Sequence, residues 1–215
     1  MHTKLLSITV AALLATRPFA ATAVEIYGGA ATTGAEIGVA QTLSDAVTGR
    51  LEYNALSYTR TFSSSSIDYN AKLKASNAGV YLDYFVVGGF RVSGGALIGS
   101  RKIHGTAKST GGTVKINGVI YPATAADTLD FDAKFPTVTP YLGIGYGHGD
   151  TTPGLHLYAD AGVAYGRAKV TLSPSASLAS KVNPSDLSGE QASAQDSANG
   201  LRAYPVLKIG INYRF

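Results

Sequence analysis

The C-terminal stretch of the chain, PVLKIGINYRF (205–215), alternates between apolar and polar side chains. The odd positions carry the large apolar residues Leu207, Ile209, Ile211, Tyr213 and Phe215. Lys208, Gly210, Asn212 and Arg214 occupy the even positions. Because successive side chains of a strand point to opposite faces, this period of two predicts a β-strand with one apolar and one polar face.

Eight stretches of the chain have strand character, and most show the same alternation. They are EIYGGAA (25–31), AEIGVAQTL (35–43), TGRLEYNALSYTR (48–60), NAGVYLDYF (77–85), FRVSGGALIGSR (90–101), TPYLGIGYGH (139–148), LHLYADAGVAYGR (155–167) and PVLKIGINYRF (205–215). A soluble antiparallel sandwich would also alternate. The connections and the positions of the charges have to distinguish the two architectures.

The connections between these stretches alternate in length. Those after the second, fourth and sixth stretches are short, whereas those after the third, fifth and seventh are long: 61–76, 102–138 and 168–204. Only the first, TTG (32–34), breaks the rule. Short periplasmic turns and long extracellular loops are typical of an outer-membrane barrel. The predicted fold of residues 24–215 is therefore all-β, an eight-stranded antiparallel transmembrane β-barrel.

The charges of the strands lie on the parity opposite to the apolar stripe. This predicts that the apolar residues face lipid and that the charges, with tyrosines among glycines, line the lumen. The predicted lumen-lining residues are Glu36, Arg50, Glu52, Tyr81, Asp83, Arg91, Tyr158, Asp160, Lys208 and Arg214. Gly143, Gly145 and Gly147 are predicted to point inward and to leave room for large neighbours such as Tyr81 or Tyr158.

Residues 1–23 have the form of a secretory signal peptide. A basic start (MHTK) precedes an apolar run (LLSITVAALLA), and the small residues ATA (21–23) form a cleavage site before Val24. Removal of this segment takes away Lys4 and Arg17 and lowers the formal net charge from +4 to about +2. So small a charge does not indicate a nucleic-acid partner. We expect the mature chain in the outer membrane of a Gram-negative cell envelope, with the lipid bilayer as its partner.

Several segments together resemble the CarO type of small bacterial porin, with OmpW-type barrels next. They are ATTGAEIG near the start, followed by TPYLGIGYG, LYADAGVAYGRAKVTLS and the terminal YPVLKIGINYRF. The resemblance implies transport of small polar solutes, with uptake of basic amino acids as the specific case. It also implies that the barrel-assembly machinery reads the terminal aromatic residues Tyr213 and Phe215.

Enzymatic and metal sites find little support in the sequence. The chain has no cysteine, and His104, His148 and His156 show neither close ligand spacing nor a neighbouring acidic cluster. Small outer-membrane lipid A deacylases carry a His-x-Ser pair, but no Ser stands two positions after any of these histidines. We therefore expect no catalysis, no cofactor and no metal.

Two functions remain open. In the first, Asp83, Glu52 and Asp160 attract a cationic solute into a narrow path while Arg91, Lys208 and Arg214 orient its carboxylate. In the second, the charges pair into a closed polar plug, and the barrel is structural or adhesive and acts through its extracellular loops. An eight-stranded barrel is compatible with both, because its interior is just wide enough to be filled by side chains or to hold one small ligand.

Two loop segments carry local signals. Asn117-Gly118, flanked by β-branched and aromatic residues, predicts a hairpin with a type I′ turn. Residues 173–200 are rich in Ser and Ala and are expected to form a solvated, partly disordered loop. A helix with Asn183 as N-cap and Pro184 as its first residue is the alternative for that segment.

Overall fold

The structure is a computed structural model that describes residues 24–64, 67–149, 152–200 and 202–215. The predicted signal peptide (1–23) lies outside the described residues. The strands are β1 (Val24–Ala31), β2 (Gly34–Ser44), β3 (Val47–Ser64), β4 (Ile67–Val87), β5 (Phe90–Ser109), β6 (Thr113–Ile116), β7 (Val119–Pro122), β8 (Thr128–Lys134), β9 (Val138–Tyr146), β10 (Gly154–Tyr165), β11 (Lys169–Pro174) and β12 (Ala203–Arg214). The helices are α1 (Ala176–Ala179) and α2 (Pro184–Gly200).

Eight of these strands form a closed antiparallel ring. The order around the ring is β1, β2, β3, β4, β5, β9, β10 and β12, and β12 pairs with β1 to close it. Ile26 lies opposite Tyr213 at this closure, so the first and last strands meet side by side. A closed ring leaves no unpaired strand edge within the bilayer. The predicted eight-stranded antiparallel barrel is confirmed.

The outer surface of the ring is apolar. Leu142, Leu157 and Ile209 are 66%, 73% and 66% exposed, and they lie on the parity that alternates with buried polar residues. Aromatic pairs sit at the end of the ring that holds the termini, where the rings of Tyr213 and Phe215 are 5.0 Å apart. An apolar band with aromatic residues at its edge is the lipid-facing surface of an outer-membrane barrel. Among the described residues, neither helix has the length and apolar character that crossing a membrane would need.

Three strands, β3, β4 and β5, continue beyond the predicted boundaries. The segment 61–76 was expected to be a loop, but β3 and β4 remain paired from Val47 opposite Tyr84 to Ser64 opposite Ile67. In the outer part of this hairpin Phe62 stacks on Tyr69 at 5.0 Å. Apolar and polar residues still alternate in the outer part of β4, but Ala71 and Leu73 are half-buried on the inner parity and Lys72 and Lys74 are exposed on the outer parity. The outer hairpin therefore lacks the apolar outer face of a strand in lipid, although its period of two is present in the sequence.

The remaining elements form a compact body at the end of the barrel with the long connections. We call it the extracellular unit and define it as β6, β7, β8, β11, α1 and α2. Beyond Arg101, β5 pairs with β8, and β8 pairs with β11. β6 and β7 form the predicted hairpin, and Asn117 (φ 52°) and Gly118 (φ 82°) are both left-handed, which confirms the type I′ turn.

The extracellular unit has its own apolar core. Its buried members are Ile116, Tyr121, Leu178 and Val182, all 8% exposed or less. Hydrogen bonds fix its edges, because Lys181 Nζ contacts Asp127 Oδ2 at 2.6 Å and the Asn117 backbone N–H donates to Glu190 Oε2 at 2.6 Å. The long connections are therefore ordered structure above the barrel.

The expectation of a solvated loop over residues 173–200 is wrong for most of that segment. A helix of 17 residues occupies 184–200 and begins at Pro184, as the alternative required. The side chains of Gln191 and Gln195 accept hydrogen bonds from the backbone N–H groups of Leu172 and Val170. Because α2 thereby covers the free edge of β11, the helix is held by hydrogen bonds to a sheet edge and not by an apolar stripe.

Candidate functional site

The candidate site is the interior of the barrel. All ten residues predicted to line the lumen are on the inner face of the ring and are 6% exposed or less: Glu36, Arg50, Glu52, Tyr81, Asp83, Arg91, Tyr158, Asp160, Lys208 and Arg214. Their strands place them there because each lies on the parity opposite to the exposed apolar residues. The structure brings nine of them into two neighbouring clusters, whereas Arg214 lies toward the periplasmic end.

The first cluster, which we call the charge cluster, consists of Arg50, Asp83, Arg91 and Asp160. Arg50 Nε lies 2.5 Å from Asp83 Oδ2, and Arg50 Nη1 lies 3.0 Å from Asp160 Oδ2. Arg91 completes the arrangement with ion pairs to both aspartates. The four side chains are at most 1% exposed, and two positive charges balance two negative charges. The strands β3, β4, β5 and β10 each supply one member. The cluster therefore extends across the lumen of the barrel at this level.

The second cluster surrounds the ammonium group of Lys208. Its Nζ lies 2.5 Å from Glu52 Oε1 and 3.6 Å from Glu36 Oε2. Tyr81 donates its hydroxyl to Glu52 at 2.8 Å, and Tyr158 donates to Glu36 at 2.5 Å. One ammonium and the tyrosine hydroxyls thus share two buried carboxylates, which agrees with the rule that buried charges are paired or hydrogen-bonded.

Glycines make room for the large interior tyrosines. A Cβ at Gly210 would lie 2.6 Å from the Tyr158 hydroxyl, and a Cβ at Gly95 would lie 2.8 Å from Tyr81 Cδ1. Two of the three predicted inward glycines, Gly143 and Gly145, are buried, so their inward placement is confirmed. The third, Gly147, lies beyond the end of β9 with a left-handed φ of 95° and is only half-buried, so that prediction is wrong. Their neighbours differ from the expected Tyr81 and Tyr158, because Gly143 faces Tyr141 and Gly145 faces Arg91 and Asp160.

The periplasmic end holds a further buried group that the sequence prediction missed. His148 is fully buried, its Nδ1 hydrogen-bonds Glu25, and the His148 and Tyr27 rings meet edge to face at 4.7 Å. The parity of Glu25 and Tyr27 against Ile26 would have revealed these two as interior residues. His148 was placed at the end of the predicted strand 139–148, where it shares the parity of the outward-facing Ile144 and Tyr146. The strand β9 ends at Tyr146 instead, and His148 is buried in the connection to β10. Arg214, which was predicted, donates to Thr42 Oγ1 at 3.0 Å at the same end.

The extracellular limit of the interior network is a pair of asparagines. Asn77 Nδ2 donates to Asn54 Oδ1 at 3.1 Å, and both side chains are 2% exposed or less. Asn54 also donates to Glu52 at 3.3 Å and so connects to the second cluster. Polar side chains in mutual contact therefore fill the described interior from His148 to this pair. In the described part of the chain, no three His, Asp or Glu residues come together in a way that could hold a metal ion.

Comparisons with known proteins show that solved structures share this architecture. No protein-family model matches the chain, and no curated protein matches it. The crystal structure of Acinetobacter baumannii CarO2 is similar, with a TM-score of 0.66 and 16% identity over 90% of this chain and 99% of that one. Acinetobacter baumannii CarO is also similar, with a TM-score of 0.61 and 17% identity over 89% of this chain and 97% of that one.

The fold is that of the CarO-type small outer-membrane barrel. The predicted resemblance to this type is confirmed at the level of the fold, which is what similarity at 16–17% identity establishes. The CarO-type fold agrees with an outer-membrane location, as does the apolar outer band of the ring.

Proposed function

We propose that this CarO-type barrel handles small polar solutes and is closed at rest by the charge cluster, which has to rearrange before a solute passes. The observation that carries the proposal is the fourfold arrangement of Arg50, Asp83, Arg91 and Asp160, whose side chains are at most 1% exposed. A path through the barrel has to pass these side chains. Each arginine contacts both aspartates, so an arginine that loses one of its ion pairs keeps the other.

The charge balance of the cluster bears on the choice of solute. Asp83 and Asp160 are both paired with arginines, so the negative field expected from an unpaired aspartate is largely compensated. The geometry therefore favours neither cationic nor anionic solutes at this level. A preference for basic amino acids rests on the sequence resemblance alone.

Conductance in planar lipid bilayers tests the proposal. We expect the parent protein to give rare or no channel events and the charge-balanced double variant Arg50→Gln with Asp83→Asn to give a steady small conductance. The matched control is Arg60→Gln with Asp68→Asn, which changes the same residue types at the outer ends of the same two strands. A folded charge-cluster variant that stays closed would contradict a gate, and a parent that conducts steadily would contradict closure at rest.

A second candidate is a structural or adhesive barrel that acts through its extracellular unit. The observation that favours it is the apolar core of that unit, since a loop that served only as a connection would have no need of one. Deletion of β6 and β7 separates the two candidates. Loss of surface adhesion with unchanged solute uptake would favour the adhesive barrel, and the reverse result would favour solute handling.

We propose further that the barrel carries out no catalysis. Two of its histidines have positions that support this: His148 is shut off from solvent, and the Nδ1 of the exposed His104 lies 3.1 Å from Asp132 Oδ1. The test is incubation of the refolded protein with lipid A and phospholipids. Release of fatty acid above the level of a His148→Gln variant would contradict the proposal.

The terminal residues are proposed to be the contact with the barrel-assembly machinery. Tyr213 and Phe215 are 44% and 65% exposed on the outer face, where a partner can reach them before membrane insertion. Deletion of Phe215 should lower the amount of folded protein in cells more than it lowers the denaturant midpoint of barrels refolded in vitro. Heat-modifiable gel mobility measures the first quantity. Unchanged levels in cells would leave Phe215 as an ordinary lipid contact.

A further inference from the structure

Four lysines form a row across the outer face of the sheet, just beyond the extracellular end of the ring. Lys74 of β4 lies opposite Lys102 of β5. Lys102 lies opposite Lys134 of β8, which in turn lies opposite Lys169 of β11. All four residues are exposed. Because neighbouring strands are about 4.8 Å apart, this lysine row places four positive charges along about 14 Å of the sheet.

The lysine row has no counter-charge among the described residues. None of its four side chains makes an ion pair or a hydrogen bond with a described residue. Asp132 lies two residues from Lys134 on the same face of β8, but its carboxylate contacts His104 Nδ1 at 3.1 Å. Like charges directly opposite each other destabilise a pair of strands. The sheet is therefore under electrostatic repulsion at this level, and an external anion would relieve it.

The apolar residues of the same face show where the lysine row lies relative to the bilayer. Ile98 on β5 and Val138 on β9 lie opposite each other, are 43% and 58% exposed, and are the outermost large apolar residues of this face on their strands. Lys102 lies four residues beyond Ile98. This is about 13 Å along the strand and about 10 Å along the membrane normal for a strand tilted by about 40°. The head-group region on each side of a bilayer is about 5–8 Å thick, and a lysine stem lets its ammonium reach toward it. The row therefore lies at the outer edge of the lipid head groups.

A surface groove of about 460 Å³ lies between the lysine row and the apolar band. Lys74, Lys102, Ser76 and Ser100 are among the residues that line it. Ser76 and Ser100 lie opposite each other, two residues nearer the membrane than the pair of lysines. Tyr53 is 52% exposed, and its hydroxyl hydrogen-bonds Ser76 Oγ at 2.8 Å, as expected for a tyrosine at a membrane interface. The groove therefore offers a recess at the level of a polar head group.

We propose that the lysine row binds the phosphate groups of an outer-leaflet lipid, namely lipid A, whose disaccharide is phosphorylated at both ends. Each ammonium donates charge-assisted hydrogen bonds to phosphate oxygens, and a phosphate between two opposed lysines removes their repulsion. The length of the row allows contacts to both phosphates of one lipid, while the acyl chains enter the bilayer beside the apolar band. The site lies on the outer face of the barrel, so its occupation does not require the charge cluster in the lumen to open.

Lipid retention by the full refolded barrel tests the proposal. The barrel is placed in phosphatidylcholine nanodiscs that contain a small fraction of lipid A, is released into mild detergent, and its bound lipid A is counted by native mass spectrometry. We expect the parent to retain lipid A, to retain much less of lipid A without its phosphates, and to keep its lipid when inorganic phosphate is added at millimolar concentration. Equal retention of the two forms of lipid A would overturn the proposal. Displacement by inorganic phosphate would assign the row to a soluble anion and overturn the lipid as its occupant.

A pair of variants locates the binding. Lys102→Gln with Lys134→Gln removes the two central charges of the row. Because one lysine near an anionic membrane surface strengthens binding about fivefold, this double variant should weaken retention of lipid A about 25-fold. The matched control is Lys108→Gln with Lys115→Gln, which removes an exposed lysine six residues beyond Lys102 on β5 and another on β6. It should leave retention within about twofold, since both positions lie beyond a Debye length from the row. Equal losses in the two double variants would overturn the row as the site.

The stability of the same double variant should change in opposite directions with and without the lipid. In vesicles of phosphatidylcholine alone, Lys102→Gln with Lys134→Gln should have a higher denaturant midpoint than the parent, because it removes repulsion between strands. With lipid A in the vesicles, the parent should gain more stability than the variant, so that the order of the midpoints reverses. The same order in both kinds of vesicle would overturn the proposal. Heat-modifiable gel mobility shows that the variants are folded, and the conductance assay of the charge cluster is independent of this result.

Discussion

The barrel and the extracellular unit place apolar and polar side chains in opposite ways. In the ring, Ile209 is 66% exposed on the outside, and Arg91 is 2% exposed on the inside. In the extracellular unit, Ile116 and Leu178 are buried at 0% and 1%, whereas the polar helix α2 has no buried residue. The same chain therefore follows two solvation rules, one set by lipid and the other by water. A highly exposed apolar residue therefore indicates contact with lipid in the ring and contact with water in the extracellular unit.

The largest expected effect comes from breaking the polar interior of the barrel. Arg50→Met leaves Asp83 and Asp160 with one arginine between them, and we expect a loss of about 3–5 kcal/mol of unfolding free energy. Denaturant titration of barrels in lipid vesicles measures it. The control Arg60→Met, at an exposed position farther along the same strand, should cost within about 0.5 kcal/mol. Equal losses would mean that the interior is solvated.

A smaller loss of unfolding free energy is expected when lysine replaces one of two isoleucines of nearly equal exposure, one in the ring and one in the extracellular unit. Ile209 on the barrel is 66% exposed, and Ile120 on the β6–β7 hairpin is 68% exposed. Ile209→Lys should cost about 2–4 kcal/mol if it lies at the bilayer midplane, since it places an ammonium in lipid. Ile120→Lys should cost within about 0.5 kcal/mol, because that position faces water. The same titrations measure both, and similar costs would remove the distinction between the two regions.

The smallest expected effect is the acid response of the extracellular unit. Hydrogen bonds from Lys181, Ser177 and Thr124 lower the pKa of Asp127 below its ordinary range. A lowered pKa stabilises the folded unit above the ordinary value of about 3.9, and this contribution is lost as the pH falls through the lowered pKa. Methyl NMR shifts of the core residue Leu178 should therefore change only in strong acid.

An Asp127→Asn variant is the control for that response. It removes the titrating carboxylate, so the part of the acid transition that belongs to Asp127 should disappear. Asp186 also has a lowered pKa, caused first by the hydrogen bond from Tyr121, and it supplies a second contribution in the same direction. An unchanged acid transition in the double variant Asp127→Asn with Asp186→Asn would show that neither the Lys181–Asp127 pair nor the Tyr121–Asp186 pair stabilises the extracellular unit.

The sequence predicted the barrel well and the extracellular unit poorly, for a physical reason. In lipid, alternation is enforced at every position, so Lys208 and Ile209 could be assigned to opposite faces from parity alone. Outside lipid that constraint ends. In the outer part of β4 the apolar residues take the inner parity and Lys72 and Lys74 take the outer one, the reverse of the part in lipid. The helix α2 is held through Gln191 and Gln195 to a strand edge that no sequence pattern reveals.

Parity also predicts where a side chain points but not which side chains meet. Glu36, Glu52 and Lys208 were all predicted to be interior, yet their shared contact depends on the stagger of strands around the ring. His148 was missed because the strand was predicted to run to residue 148, whereas β9 ends at Tyr146 and the alternation ends with it.

Spin-label accessibility distinguishes an outer face of the ring that lies in lipid from an extracellular unit that lies in water. The chain has no cysteine, so single cysteines can be placed at positions 207, 209 and 211 of β12 and at positions 119 and 120 of the hairpin without a background signal. Power saturation in vesicles should show the three β12 labels accessible to oxygen and protected from a water-soluble nickel chelate, and the two hairpin labels accessible to the chelate. Equal access of the chelate to positions 209 and 120 would contradict the account.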